Sequence, residues 1–380
     1  MARHTLTLRA VPDALAALTL GLGCLAAVVW SSASWSTYHR FIEASIGGSS
    51  VTVIIANGLL TVLFLAIGIE LSIEIHSGAL RNLRHSMAPL AGAFGGMAFT
   101  ALLSAFGGLA LSSTALMRGW GVPMATDVAL VIGMVALAGP SVPREVRTFL
   151  LTLAIADDVG SLVVLGATGS LHANVAYLVI SFLLAVLAWL LRCQRVAYPL
   201  LLLVPLWLCL ARAGTEPALA GVVIGVCIQS SDATARFEQL VNWSSTVVVL
   251  PLFALSACGL NWTALRWTTP VATTTVAMVV IRLVGKSLGI VTLTMFAKHL
   301  GAPLSVSLTK SRLFGVGLLC AMGFTVPLLF ARVVFGPNAA QLPPLTIALL
   351  VATVLGGAGG LVILRRSPHT PPNAPGEGVA

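Results

Sequence analysis

The chain has 380 residues, of which 58% are hydrophobic and only 9% charged, with a mean hydropathy of +1.00. One water-soluble core cannot hide that much apolar surface, so the composition excludes a soluble domain and specifies an all-α polytopic membrane protein. The formal net charge of +9 belongs to loops that face lipid headgroups; membrane lipid is an expected partner and nucleic acid is not.

Residues 1–13 read as a cytoplasmic N-terminal tail, 14–364 as one membrane domain, and 365–380, rich in Pro, Gly and His from Ser367 onward, as a disordered cytoplasmic tail. Cuts at charged, Pro and Gly clusters leave candidate spans at 14–30, 51–69, 87–111, 122–138, 148–166, 175–191, 197–210, 217–228, 240–260, 271–296, 314–335 and 345–364, twelve in all. The seventh and eighth fall short of the about 20 residues that a straight crossing needs and must tilt or extend into the interface. An even number of spans puts both ends on one side. Fourteen Lys and Arg fall on that side, among them Arg3, Arg9, Arg81, Arg84, Arg144, Arg147, Arg195 and Lys310, against Arg40, Arg118, Arg212, Arg266 and Arg332 opposite. The excess places both termini in the cytoplasm. The first span follows Asp13 and carries no small-residue cleavage pattern, so it reads as retained. The six cysteines stand singly in or beside apolar runs and read as small buried hydrophobes.

The polar residues left at membrane depth are few. Asp157 and Asp158 lie side by side in the otherwise apolar span 148–166, where each carboxylate costs roughly 2.5 to 3.5 kcal/mol on insertion scales. Asp127 and Lys286 are also at depth, and Glu70, Glu74, Arg282 and Glu216 are further candidates, with Arg282 in the same hydrophobic run as Lys286. None of the seven histidines is, so protons crossing here must ride on carboxylates. Two adjacent carboxylates in a low-dielectric cavity cannot both ionise freely, and their repulsion favours a protonated pair. A small cation favours the ionised form instead. Cation binding therefore expels protons and protonation expels the cation, which is a coupling rule for exchange. Lys286 is placed to neutralise one aspartate in the empty state. The competing reading, ion bridges that merely hold helices together, is weakened because buried pairs seldom add net stability over apolar packing.

The fourth span opens Gly121-Val-Pro-Met-Ala-Thr-Asp-Val-Ala129, and Pro123, Thr126 and Asp127 are poor material for a continuous apolar helix. The eleventh carries comparable interruptions at Gly315-Val-Gly317 and Met322-Gly-Phe-Thr-Val-Pro327. Paired interrupted helices in the two halves of a transporter point to a midplane site, where half-helix ends and unwound carbonyls meet the ion. The pairs Gly95-Gly96 and Gly107-Gly108 and the run Gly356-Gly-Ala-Gly-Gly360 read as close-packing surfaces.

With these residues the chain resembles the NhaA family of bacterial sodium/proton antiporters, from about Asp13 to Leu364. The most specific segments are Ala125-Thr-Asp127, Leu153-Ala-Ile-Ala-Asp-Asp-Val-Gly160, Val284-Gly-Lys-Ser-Leu-Gly289, Pro251-Leu-Phe-Ala254 and Gly323-Phe-Thr325, supported by Ala66-Ile-Gly-Ile-Glu70 and Leu219-Ala-Gly221. The resemblance implies about twelve transmembrane helices with two inverted three-helix repeats, spans three to five and ten to twelve, and with spans 4 and 11 interrupted and crossed. It implies sodium or lithium exchange for protons across the inner membrane, with no resident cofactor. Asp158 matches the likelier direct sodium ligand, and Asp157 the proton carrier paired to Lys286. Asp127 and Thr126 match positions at the broken fourth helix; Glu70, Glu74 and Glu238 match acidic positions of pH response and cation access. The family often forms homodimers, and no segment here secures one.

The chain also departs from that pattern. Ser72 stands where a basic residue is usual, Gln239 and Asn242 where histidines are, and Glu216 where a histidine is common. The exchange machinery reads as intact while the pH response is altered. An ion-coupled carrier of an organic anion would show more polar and aromatic residues around the broken spans. An intramembrane aspartyl protease would show Gly-x-Gly-Asp, which is absent from the sequence. An inactive scaffold of the same fold would have lost Lys286 or an aspartate.

Overall fold

Inside a bilayer the backbone finds no water to bond, so a chain this apolar satisfies its N–H and C=O groups within helices. A computed structural model describes residues 13–46, 48–81, 83–138, 142–169, 174–192, 197–229, 231, 234–261, 268–336 and 339–366, and these are almost wholly helical. Arg3, Arg9, Arg195, Arg266, Cys193, His4, His172, His369 and the terminal tails up to residue 12 and from residue 367 lie outside the described residues.

In chain order the helices are α1 (Asp13–Ala33), α2 (Trp35–Ile42), α3 (Val51–His76), α4 (Leu83–Ala110), α5 (Thr114–Arg118) and α6 (Val128–Ala138). They continue with α7 (Arg144–Gly169), α8 (Val175–Leu191), α9 (Tyr198–Ala213), α10 (Leu219–Cys227) and α11 (Ala235–Ala257). The last are α12 (Thr269–His299), α13 (Lys310–Cys320), α14 (Thr325–Phe335) and α15 (Leu342–Arg366). A two-residue antiparallel hairpin, β1 (Ser45–Ile46) and β2 (Ser49–Ser50), pairs Ser45 with Ser50 between α2 and α3.

Among the described residues, seven helices are long and apolar enough to cross a membrane: α1, α3, α4, α7, α11, α12 and α15. The pair α13 and α14, bent by 54° at a short break, makes an eighth. The remaining candidate spans are represented by the shorter α6, α8, α9 and α10. The fourth differs from its sequence outline: helix begins only at Val128, because 119–127 is turn and extended chain. In the eleventh the break is confined to 321–324, and Gly315 and Gly317 are helical. Those two glycines serve packing: a Cβ on Gly317 would collide with the Ser287 backbone, and one on Gly315 would meet Ile363 at 3.0 Å. Pro327 falls in the first turn of α14, where its missing N–H has no helical acceptor to lose.

Small residues let the central helices touch backbone to backbone. Added Cβ atoms on Gly95 of α4 and Gly289 of α12 would each strike the other's carbonyl oxygen. Gly68 of α3 similarly faces Val222 and Gly225 of α10, and Gly225 faces the Leu65 carbonyl at 2.5 Å. Such contacts replace the hydrophobic effect as the packing force between helices in lipid. On the outside, Leu18, Leu22, Leu25 and Val29 form a stripe along α1 that is more than half exposed, while Leu20 and Ala27 on its other side are buried. That pattern suits lipid as the solvent. Cys24 of α1 and Cys258, just after α11, are free thiols with sulfurs 2.9 Å apart; Cys227, Cys258 and Cys320 are buried, whereas Cys24 and Cys209 are only partly so.

Gly225→Val should push α3 and α10 apart and lower stability by about 1–3 kcal/mol, the usual cost of overpacking. Gly21→Ala in α1, where an added methyl meets no atom within 4 Å, is the matched control. Thermal unfolding in detergent checks this, and equal midpoints for the two variants would contradict the close approach.

Candidate ion site at the two helix breaks

The site is assembled from the non-helical segments of two broken helices and from side chains on α7 and α12. Helix ends leave backbone groups without partners, and at membrane depth each must find one. The segment after α5 and the break after α13 solve this against each other. Thr126 Oγ1 donates to the Cys320 carbonyl at 2.6 Å, and the Asp127 amide donates to the Met322 carbonyl at 3.1 Å. The Asp127 carboxylate caps the start of α14: Oδ2 accepts from the amides of Phe324 at 2.6 Å and Thr325 at 3.0 Å, and Oδ1 accepts from the Thr325 hydroxyl. A negative charge here faces the positive end of the helix dipole.

The opposite ends carry positive charge. Arg282 donates from Nε to the Ala321 carbonyl at 2.6 Å, from Nη1 to Val122 at 3.2 Å and from Nη2 to Ala125 at 2.5 Å. Lys286, one turn further along α12, donates from Nζ to the Met124 carbonyl and pairs with Asp157 Oδ2 at 2.6 Å. Both cations are buried. Arg282 lies within a π-helical turn, Ile281–Gly285, that ends just before Lys286, and such turns recur at functional sites.

Asp157 and Asp158 are consecutive on the unbroken α7, so their side chains diverge around the helix. Asp157 is fully buried and spends one oxygen on Lys286; its Oδ1 has no hydrogen-bond partner. Asp158, 4% exposed, likewise has an unpartnered, buried Oδ1. It lies within electrostatic reach of Asp127, Asp157, Lys286 and Glu70. The Thr126 hydroxyl and Arg282 act on Asp157. The arrangement thus offers unsatisfied carboxylate oxygens beside fixed positive charges, a cavity chemistry that suits a small hard cation or a proton.

The other acidic candidates sit apart from this centre. Glu70 and Glu74 are half-buried on α3, one turn apart, with the Glu74 carboxylate folded over Gly78. Glu238 is buried in the first turn of α11 and accepts from the Thr234 hydroxyl at 2.5 Å. Ser72 is buried too, donating to the Ile228 carbonyl at 2.9 Å at the end of α10. A lysine at 72 would have to displace that contact, so this departure is part of the α3–α10 packing.

Sequence reading gave no role to Arg282, Gly323 or Thr325. The signal for Arg282 was its spacing, four residues before Lys286 on one helix face. Gly323 is small because a Cβ there would collide with Arg282 Nη2 and come within 2.8 Å of the Ala125 carbonyl.

The structure is a polytopic helical membrane protein in which two broken helices meet over buried opposite charges, an architecture found in secondary transporters. The chain belongs to the Na+/H+ antiporter 1 family, whose profile matches residues 10–364. It is similar to the protein named Na(+)/H(+) antiporter NhaA in Glaesserella parasuis, with 32% identity over 318 residues covering 81% of this chain and 79% of the relative. Proteins of the same name are 32% identical over 351 residues in Paramagnetospirillum magneticum (90% of this chain, 91% of the relative) and 29% identical over 354 residues in Vibrio cholerae (90% and 92%).

Glu216 stands outside the spans, in the loop 214–218 between α9 and α10, buried and accepting only a long bond of 3.4 Å from the Ala218 amide. Burial pushes its carboxyl up to about 7, into the range where an imidazole titrates. The folded chain keeps this proton to about pH 7, whereas the unfolded chain releases it near 4.5, so ionisation costs stability as pH rises between those values. The thermal midpoint of Glu216→Gln minus that of the parent should therefore grow across this window and level off above it. A constant difference from pH 4.5 to 8 would contradict the shift.

Proposed function

We propose that the protein is a secondary antiporter of the bacterial inner membrane that expels cytoplasmic sodium, or lithium, in exchange for external protons. The observation that carries this reading is the buried Asp157–Asp158 pair, in which each carboxylate keeps an unpartnered oxygen while Lys286 holds Asp157 alone. Family membership and the printed names of the relatives support sodium and protons as the exchanged ions and a transporter in place of an enzyme.

The chemistry follows from competition. A dehydrated sodium ion needs oxygen ligands and negative charge, which Asp158 Oδ1 and Asp157 Oδ1 supply together, with Thr126 and the unwound carbonyls near Asp127 at hand. A proton satisfies the same pair by covalent attachment. The two occupants exclude each other, so the pair releases protons when sodium enters and releases sodium when protonated. Lys286 holds the ionised Asp157 when neither is bound. The broken helices make the site movable: only short non-helical segments tie their halves together, so the halves can reorient around the bound ion without unravelling a whole span.

In the full arrangement we propose twelve spans with both termini cytoplasmic, and inverted repeats formed by spans three to five and ten to twelve. Glu70, Glu74 and Glu238 then line the cytoplasmic approach, with Glu70 nearest Asp158.

Asp158→Asn should abolish sodium-dependent proton flux, because an amide cannot alternate between holding a proton and neutralising a cation. Dequenching of a ΔpH probe in everted vesicles, scanned over pH, measures it. Near-parental exchange in that variant would remove Asp158 from the mechanism.

A further inference from the structure

Two of the six cysteines meet away from the ion site, where the coupling described above has no use for a thiol. The contact between α1 and α11 is fixed by groups other than the two sulfurs. On one side of the pair, the Thr19 hydroxyl donates to the Thr246 carbonyl at 2.7 Å, and a Cβ added to Gly23 would come within 2.5 Å of the Pro251 carbonyl oxygen and 3.0 Å of the Ala254 methyl. On the other side, the Leu260 amide donates to the Ser31 hydroxyl at 3.1 Å. Tyr38 of α2 straps the end of α11, donating to the Leu255 carbonyl at 2.7 Å, and its ring fills the space that a side chain on Gly259 would need. Arg332 of α14 holds the Ser256 carbonyl at 3.0 Å. Cys24 and Cys258 stand between these pins with their sulfurs in contact, so side-chain rotation alone can bring them to bond. We propose that Cys24 and Cys258 are a redox pair whose oxidation forms an intramolecular disulfide joining α1 to α11, and which thiols reopen.

The assignment is independent of the antiport reading. Its bland rival is that each thiol is only a small buried hydrophobe. Close approach of these two helices does call for small residues, but Gly23, Ala254 and Ala257 already supply them, and packing gives no reason for two sulfurs to face each other. The two thiols also differ in access. Cys258 is wholly buried, whereas Cys24 is only partly so and neighbours Leu22 and Leu25 of the lipid-facing stripe. A small, lipid-permeant two-electron oxidant such as an azodicarboxamide therefore reaches Cys24 first. The Cys24 sulfur gives up its proton and adds to one nitrogen of the azo bond, and Cys258 then attacks that sulfur and displaces the nitrogen. Two thiols become one disulfide; their two electrons and two protons leave on the oxidant, which departs as the hydrazine. Excess thiol reverses the reaction by exchange. Because the bond links the first helix to one far along the chain, it keeps α1 from parting from the bundle when the protein unfolds.

The test uses the full-length protein in lipid vesicles, treated with diamide, then denatured and alkylated. Peptide mapping without reduction should return a Cys24 peptide joined to a Cys258 peptide, with the loss of two hydrogens in mass, and dithiothreitol before denaturation should return both cysteines alkylated. Recovery of both as alkylated thiols after diamide, or of either joined to a different cysteine, overturns the assignment. Cys24→Ser should leave Cys258 alkylatable under the same treatment; consumption of Cys258 in that variant also refutes the pairing. Diamide should raise the thermal midpoint of the parent in detergent and leave that of Cys24→Ser unmoved. No rise in the parent, or equal shifts in the two, would overturn the tie between the helices. If Cys24→Ser does not fold, the peptide map of the parent decides the matter.

Discussion

Everything in this molecule is arranged around one problem: two helices stop in the middle of an apolar bundle, and their backbone ends must be satisfied without water. An exposed helix end in hydrocarbon costs several kcal/mol for each unpaired group. The chain answers with complementary charges of the correct sign. Asp127 sits on the amides that open α14, while Arg282 and Lys286 sit on the carbonyls that close the preceding segments. The segments also serve each other, through Thr126 on Cys320 and the Asp127 amide on Met322. Remove this cross-bracing and neither break is tolerable.

That solution has a by-product. Charges placed to satisfy backbone ends create a polar cavity at a depth where none would otherwise exist, and the adjacent α7 fills it with two carboxylates. Their spare oxygens are left without protein partners because Lys286 is already divided between Asp157 and Met124. The candidate site is thus a pair of carboxylate oxygens without hydrogen-bond partners beside two helix breaks whose backbone ends are bonded to each other and to buried charges.

Much of this was legible in the sequence, and the legible part has a common reason. Asp127, Asp157, Asp158 and Lys286 are conspicuous because ionisable groups are so costly in apolar runs, and the site gathers all four. The fourth-span break was legible at Pro123-Met-Ala-Thr-Asp127. The second break was placed too broadly, since Gly315 and Gly317 look like breakers yet work as packing surfaces against α15 and α12. Glycine in a membrane helix is ambiguous in one dimension, because close approach and helix rupture both call for a missing side chain. Ser72 was legible only as a departure from a usual basic residue; the packing of α3 on α10 adds that it is a buried donor to Ile228. Span counting was limited by the short helices, whose ends cannot be fixed by hydropathy when a crossing is divided into pieces.

The same geometry explains why α12 carries a second buried cation beside Lys286. Lys286 faces two demands that conflict: holding a helix end requires permanence, whereas pairing with a titrating aspartate rewards a group that can let go. In this chain the tasks are divided. The guanidinium, which stays charged, takes three of the four cation-bonded carbonyls, and the ammonium takes the fourth together with Asp157. The crossing is therefore held by Arg282 independently of the Lys286–Asp157 pair.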